Sequence, residues 1–267
     1  MSNLSFENTD TILIENRIFS PSNDQVQNAN ITAYMKKKGF DEYEPFYKWS
    51  LEHRNEFWED MAKELHWFEP WKTTFEWTEK PFFKWFSDGK FNIVYNCLDR
   101  HMQTPVRNKV AFYWEGDDGS NRTVTYEQLY QMTNQFAKGL QNLGVKKGDR
   151  VAIYMPAIIE QIVAVLAVAR LGAVHTVVFG GFAASALRDR IIDAQAKVVI
   201  TADGNYRGGK HIELKKITDE AVSETPTIEK VVVVRRLGTK VAMQAGRDIY
   251  WHDLLADIPS DTVVPCE

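Results

Sequence analysis

The residues best placed to do chemistry lie between Val199 and Lys216. An apolar, largely β-branched run ends in Thr201, Ala202 and Asp203. Gly204, Arg207, Gly208, Gly209 and Lys210 follow at once, and a helix-like pattern is expected from His211. Strand, glycine turn with cations, then helix is how proteins hold phosphate. Glycines let the backbone come close, exposed N–H groups and a helix N-terminus favour negative charge, and the cations add Coulombic attraction. Together with Arg188, Arg190, Lys215 and Lys216, these cations form a candidate anion-facing patch.

The same stretch fits a second reading. Gly204 to Lys210 matches G-x-x-x-x-G-K, the P-loop of nucleotide triphosphatases. That motif continues into Ser or Thr, whose hydroxyl holds magnesium, whereas His211 stands here. The later run Val231–Val234 leads into Arg235 and Arg236 instead of a metal-holding acid. A third reading is a solvated surface loop whose cations cap helix ends.

The elements that must position these residues follow from the apolar pattern. Thr125 and Gln128 form a capping box, and Leu129, Met132, Phe136, Leu140 and Leu143 keep one helical face until Gly144. Strands are predicted over 151–155, 173–178, 197–201 and 230–234. Helices are predicted from Pro156 to about Leu171, from Ser185 to Asp193, and over 211–223. Continuous apolar strands alternating with helices predict an α/β fold, a parallel sheet flanked by helices on both faces. Ligands of such sheets sit at the carboxyl ends of the strands. The two glycine turns, at 180–181 and 204–209, both fall there.

Upstream, residues 1–30 are polar and rich in Asn and Ser, and read as an extended or mobile arm. Six of the eight tryptophans, Trp49, Trp58, Trp67, Trp71, Trp77 and Trp85, lie between Tyr43 and Phe86. A helix is predicted over 50–65, with the rest irregular chain pinned by large rings. Such rings can form a stacking surface, but aromatic side chains favour burial against a larger body. Asn92 to His101 reads as a helix, and Val110–Trp114 with Arg122–Val124 as a hairpin around Asp117-Asp118-Gly119.

Composition excludes several classes. At 267 residues, 44% hydrophobic and 25% charged, the chain has room for a substantial core. A net charge of −4 argues against a general nucleic-acid binder. Cys97 and Cys266 are far apart and the six histidines are scattered, so no metal site is expected. Low cysteine use and no signal peptide point to the cytoplasm. The most apolar region, Val151–Val178, is broken by Pro156, Glu160, Arg170 and His175, which makes it core and not a membrane span.

Many short motifs then agree with one family. Trp85-Phe-Ser-Asp-Gly89 with Phe91 and Asn92, Tyr95-Asn-Cys-Leu-Asp-Arg-His101, and Trp114-Glu-Gly-Asp-Asp118 resemble AMP-forming acetyl-CoA synthetases. So do Leu143 to Asp149, Val151 to Pro156, Arg170 to His175, Val178 to Phe182, Leu187 to Ile191, Ile200 to Asp203, and Gly246-Arg-Asp248 with Trp251, in the same order. The resemblance runs from about residue 35 to the end. It implies a polar arm over 1–35, an aromatic-rich segment over 36–104, and the first part of an adenylate-forming, AMP-binding domain over 105–267.

In such ligases a short carboxylate attacks the α-phosphate of ATP, and the thiol of coenzyme A then displaces AMP from the acyl-adenylate. The resemblance implies acetate or a similar short acid, ATP with magnesium, and coenzyme A as small-molecule partners. No nucleic-acid or membrane partner is implied, and the oligomeric state is left open. It places Phe179, Gly180, Gly181, Arg207, Gly208, Gly209 and Lys210 against coenzyme A, whose three phosphates suit glycine turns and cations. Lys210 stands where many relatives carry Arg, which keeps the charge but loses a bidentate fork. The family's Ser/Thr/Gly-rich ATP loop, AMP-binding strand motif, ribose-binding Asp and lid-domain Lys have no match here. The chain is therefore expected to be the N-terminal part of such an enzyme, inactive alone, with no catalytic residue of its own. A non-catalytic binding module and the P-loop protein stay open as alternatives.

Overall fold

The structure, a computed structural model, describes residues 18–267 and divides the chain into two compact units, one ending at Lys63 and one spanning Glu64–Glu267. The first unit is helical: α1 (Asn23–Gln27), α2 (Asn30–Lys37), α3 (Tyr43–Glu52) and α4 (Arg54–Lys63). Ser22 caps α1 and Gln25 bonds back to it, so from Asn23 the expected polar arm is helical; residues 1–17 of that arm lie outside the described residues. The single helix predicted over 50–65 is two helices, broken at His53 (φ −108°, ψ 40°). Tyr34, Phe40, Phe46, Trp49 and Phe57 pack ring to ring as its small core, with Phe46 3% exposed. Phe46 is buried by the rings around it, which are themselves half-buried.

The second unit begins with the antiparallel pair β1 (Thr73–Glu76) and β2 (Lys84–Ser87). The helix expected over Asn92–His101 is shorter. α5 (Ile93–Cys97) stops at Leu98 (φ −124°, ψ −63°), and a 3-10 turn over Asp99–His101 follows. β3 (Val110–Glu115) and β4 (Asn121–Thr125) form the predicted hairpin. Thr125 then caps α6 (Tyr126–Asn142), its hydroxyl accepting from the Gln128 amide while Gln128 reaches back, as the capping box requires.

The core sheet comprises β5 (Arg150–Met155), β6 (Val174–Phe179), β7 (Val198–Ala202), β10 (Lys230–Val234) and β11 (Asp248–Tyr250), in the order β11-β10-β7-β5-β6. Every neighbouring pair is parallel. The crossovers are α7 (Ile159–Arg170), α8 (Ala184–Ala194) and α9 (Leu214–Val222), and α10 (Trp251–Leu255) follows β11. β5, β7 and β10 are almost wholly inaccessible because the crossover helices cover the sheet on both faces. β6 is one edge, opposite β11, and Val174, Val177 and Phe179 are exposed along it.

Two boundaries move. Pro156 does not open α7: it belongs to a bend that ends at Ile158, the N-cap. The helix expected from His211 begins only at Leu214, because residues 205–212 form β8 (Asn205–Arg207) and β9 (Lys210–Ile212), an antiparallel pair. Among the described residues no helix is long and apolar enough to cross a membrane.

Candidate functional site

Strand order reverses at β5: the chain steps to β6 on one side and then to β7 on the other. Open parallel sheets bind ligands beyond the carboxyl ends of the strands at such a switch point. β5, β6 and β7 end there in Met155, Phe179 and Ala202, which brings together the residues singled out from sequence.

The Phe179–Phe182 bend is tight. The Gly181 and Phe182 amides both bond to the Phe179 carbonyl, at 2.7 and 3.1 Å. The Tyr154 hydroxyl, on the wholly buried β5, donates to the Phe182 carbonyl at 2.6 Å and fixes the far side. A side chain at Gly180 would stand 2.7 Å from the Met155 carbonyl oxygen, and one at Gly181 would stand 2.5 Å from Arg207 Nη1. Glycine is required at Gly180, where the neighbouring atoms are backbone, while at Gly181 it leaves room for the Arg207 and Phe179 side chains.

Across the gap, β7 ends and Asp203 turns inward. Its carboxylate, 1% exposed, accepts from the backbone amides of Gly204, Arg236, Leu237 and Thr239 at 2.7–3.1 Å. It ties the exits of β7 and β10 together.

Gly208 and Gly209 (φ +54° and +72°) form the two-residue turn of the β8–β9 hairpin, a conformation open to glycine. The proposed strand–turn–helix cradle is therefore corrected: the cations flank a hairpin tip, not a helix N-terminus. The P-loop reading falls with it, since Gly204–Lys210 does not wrap into a helix.

The hairpin sorts its side chains by alternation. Tyr206 opposes His211 on one face, with ring centroids 5.0 Å apart, and Arg207 opposes Lys210 on the other. The Arg207 guanidinium lies 5.3 Å from the centre of the Phe179 ring. Phe182 packs edge-on to Phe179 at 5.8 Å, and Arg190, 5.4 Å from Phe182, flanks the pair on its far side. Like charges directly opposite one another in an antiparallel pair are destabilising. Among the described residues neither Arg207 nor Lys210 has a carboxylate partner. Two uncompensated cations, two exposed rings and two glycine turns thus converge beyond β6 and β7, a surface suited to a phosphate-bearing ligand with a flat, stackable part.

The wider patch of cations is not retained. Lys215 is 1% exposed and bound to Asp219 and Asp248; Arg188 pairs with Glu224, and Lys216 with Glu213. A hollow of about 540 Å³ beside the hairpin is lined by His211, Glu213, Lys216, Asp219 and Thr239, but not by Phe179, Arg207 or Lys210. The candidate site is open surface, distinct from that hollow. Arg190 belongs to the candidate patch read from the sequence but not to the coenzyme contacts expected there, and the structure sets it beside the Phe179–Phe182 bend.

Comparison with known proteins agrees with this architecture. Residues 98–258 match the family of AMP-binding enzymes, and residues 43–97 match the acetyl-coenzyme A synthetase N-terminus. The chain belongs to the AMP-binding enzyme family. It is 47% identical over 249 residues to an acetyl-coenzyme A synthetase of Methanothrix thermoacetophila, covering 92% of this chain and 38% of that protein. It is 49% identical over 216 residues to a 3-hydroxypropionyl-coenzyme A synthetase of Sulfurisphaera tokodaii, covering 79% of this chain and 33% of that protein. The fold superposes on an acetoacetyl-CoA synthetase from Streptomyces lividans with a TM-score of 0.81 and 26% identity, covering 92% of this chain and 39% of that one. The chain thus spans less than two-fifths of the length of these relatives, and their names differ in the acid.

Proposed function

We propose that this chain supplies the coenzyme A-contacting part of an AMP-forming short-chain acyl-CoA synthetase, the reaction being carboxylate plus ATP plus coenzyme A to acyl-CoA, AMP and pyrophosphate. One observation carries the reading. Arg207 and Lys210 face each other across the hairpin without a carboxylate, with Arg207 stacked on Phe179 beside Gly181. An anionic ligand relieves that repulsion, and coenzyme A offers both phosphates and an adenine ring for the exposed phenylalanines. Phe179, Gly180, Gly181, Arg207, Gly208, Gly209 and Lys210 are the proposed contacts, and Arg190 joins them.

ATP, magnesium and the acid would be held by residues this chain does not supply. The chain alone is therefore expected to form no acyl-adenylate from acetate, ATP and magnesium. The test is calorimetric titration of the 267-residue chain with coenzyme A, beside Arg207→Ala. Saturable binding, weakened about tenfold by the substitution, is the expected result for loss of one charge-assisted contact. Equal binding by the variant overturns the assignment.

A further inference from the structure

The motif Trp114-Glu-Gly-Asp-Asp118 has no place in the proposed coenzyme contacts, and neither does the Arg235-Arg236 pair. The structure brings them together. Arg236 follows β10, and its side chain is 14% exposed. Its two terminal nitrogens donate to both oxygens of Asp118 at 2.9 and 3.0 Å, across 118 positions of sequence. Its guanidinium lies between two rings, 5.1 Å from that of Trp114 and 4.9 Å from that of Tyr206. With its fork committed to Asp118, Arg236 Nε is buried without a hydrogen-bond partner.

Each wall of this stack is itself fixed. The Trp114 indole N–H donates to the Ala157 carbonyl at 2.7 Å. The Ser120 hydroxyl donates to Asp118 Oδ1 at 2.6 Å. Gly116 lets the parts meet: a Cβ there would lie 2.6 Å from Arg236 Nη2 and 2.7 Å from the Trp114 ring. The Arg236 amide donates to Asp203 at 2.7 Å, so its backbone is tied to the root of β8. The remaining wall, Tyr206, is the residue before Arg207.

We infer that Asp118, Trp114 and Arg236 form a latch that sets the position of the β8–β9 hairpin, and with it the place of Arg207 against Phe179. A hairpin with three residues in each strand is too short to hold its own geometry and takes it from what its faces touch. One face of Tyr206 is gripped by Arg236, and alternation then delivers Arg207 to the opposite side. Arg236 is neutralised by Asp118, so it adds no cation to the site and acts through Arg207. It is a positioning residue. The consequence for coenzyme A rests on the proposed function; the geometric claim does not.

NMR of the 267-residue chain separates the two. Stacking on Phe179 displaces the Arg207 side-chain resonances by the ring current. Asp118→Asn and Arg236→Lys are each expected to return them towards those of a solvent-exposed arginine, with the methyl spectrum of β5, β7 and β10 unchanged. Tyr206→Leu, which leaves the Asp118–Arg236 pair intact, gives the same loss and covers the case in which the first variants fold poorly. Arg122→Gln, which breaks the neighbouring Arg122–Glu160 pair, leaves Arg207 unmoved. Unmoved Arg207 resonances in Asp118→Asn and Tyr206→Leu would overturn the latch. In a coenzyme A titration Asp118→Asn lowers affinity by about fivefold and adds no loss once Arg207 is alanine, because contacting groups are not additive. Additive losses overturn action through Arg207. If Arg207→Ala leaves the affinity unchanged, the coenzyme reading fails while the NMR result still decides the latch.

Discussion

Arg170 and Asp99 form a two-pronged ion pair beneath the sheet, Arg170 Nη1 and Nη2 each donating to one Asp99 oxygen at 2.8 Å. The guanidinium is 1% exposed, and its Nε donates to the Val264 carbonyl at 2.5 Å. One side chain thus ties the 3-10 turn, the end of α7 and the final residues together. Two family-like motifs, Tyr95 to His101 and Arg170 to His175, meet in this contact. Removing one partner strands a buried charge, which costs about 3 kcal/mol or more. Asp99→Asn is expected to lower the melting temperature by roughly 6–12 °C for a chain of this size. A change within 2 °C, on about the scale of an exposed pair, would contradict that role.

A second buried network makes stability depend on pH. The Asp248 carboxylate, with no exposed area, meets Lys215 Nζ at 2.9 Å and Arg247 Nε at 2.5 Å, and accepts from the Gln244 amide at 2.9 Å. Burial by itself would raise its carboxyl; the hydrogen bonds from Arg247, Gln244 and Lys215 prevail and hold it below the ordinary aspartate value. Its stabilisation is therefore fully present above the unfolded value of about 3.9 and is lost as pH falls through the lower folded value. Urea unfolding of the chain should show stability declining below about pH 4. Asp248→Asn should be less stable near neutrality and flatter in acid. Parallel curves for the two proteins would refute the linkage.

Tyr154 links the core to the candidate site. Its hydroxyl sits in the buried β5 yet holds the Phe182 carbonyl, so Tyr154→Phe leaves a carbonyl without its partner. A loss of about 1 kcal/mol is expected, with faster amide exchange confined to residues 179–182. Gly180→Ala, which drives a methyl into the Met155 carbonyl, should displace the same bend and weaken coenzyme A binding more than Tyr154→Phe does. Unchanged exchange across the bend in both variants would show that neither residue shapes it.

The sheet is legible because its strands are continuous apolar runs rich in β-branched residues: Val151 to Met155, Val198 to Thr201 and Val231 to Val234 match strands covered on both faces. The capping box at Thr125 fixed α6 just as directly. The β8–β9 hairpin departs from the helix that the pattern predicts from His211, although Gly208-Gly209 between short runs of strand-tolerant residues is a two-residue hairpin signal. Strand β11 has three residues and no pattern of its own, and exists through its pairing with β10. Arg236 could not be placed from sequence at all. Its partners Asp118, Trp114 and Tyr206 come from two separate hairpins that only the folded sheet brings together.

Arg207 and Lys210 are proposed to receive the phosphates of coenzyme A. Amide spectra of the chain titrated with coenzyme A, with pantetheine, and with ATP plus magnesium decide it. Coenzyme A should shift Gly181, Gly208 and Gly209 saturably, pantetheine should leave them in place, and ATP should act more weakly. No response to coenzyme A, or a stronger response of the same glycines to ATP, would contradict the assignment.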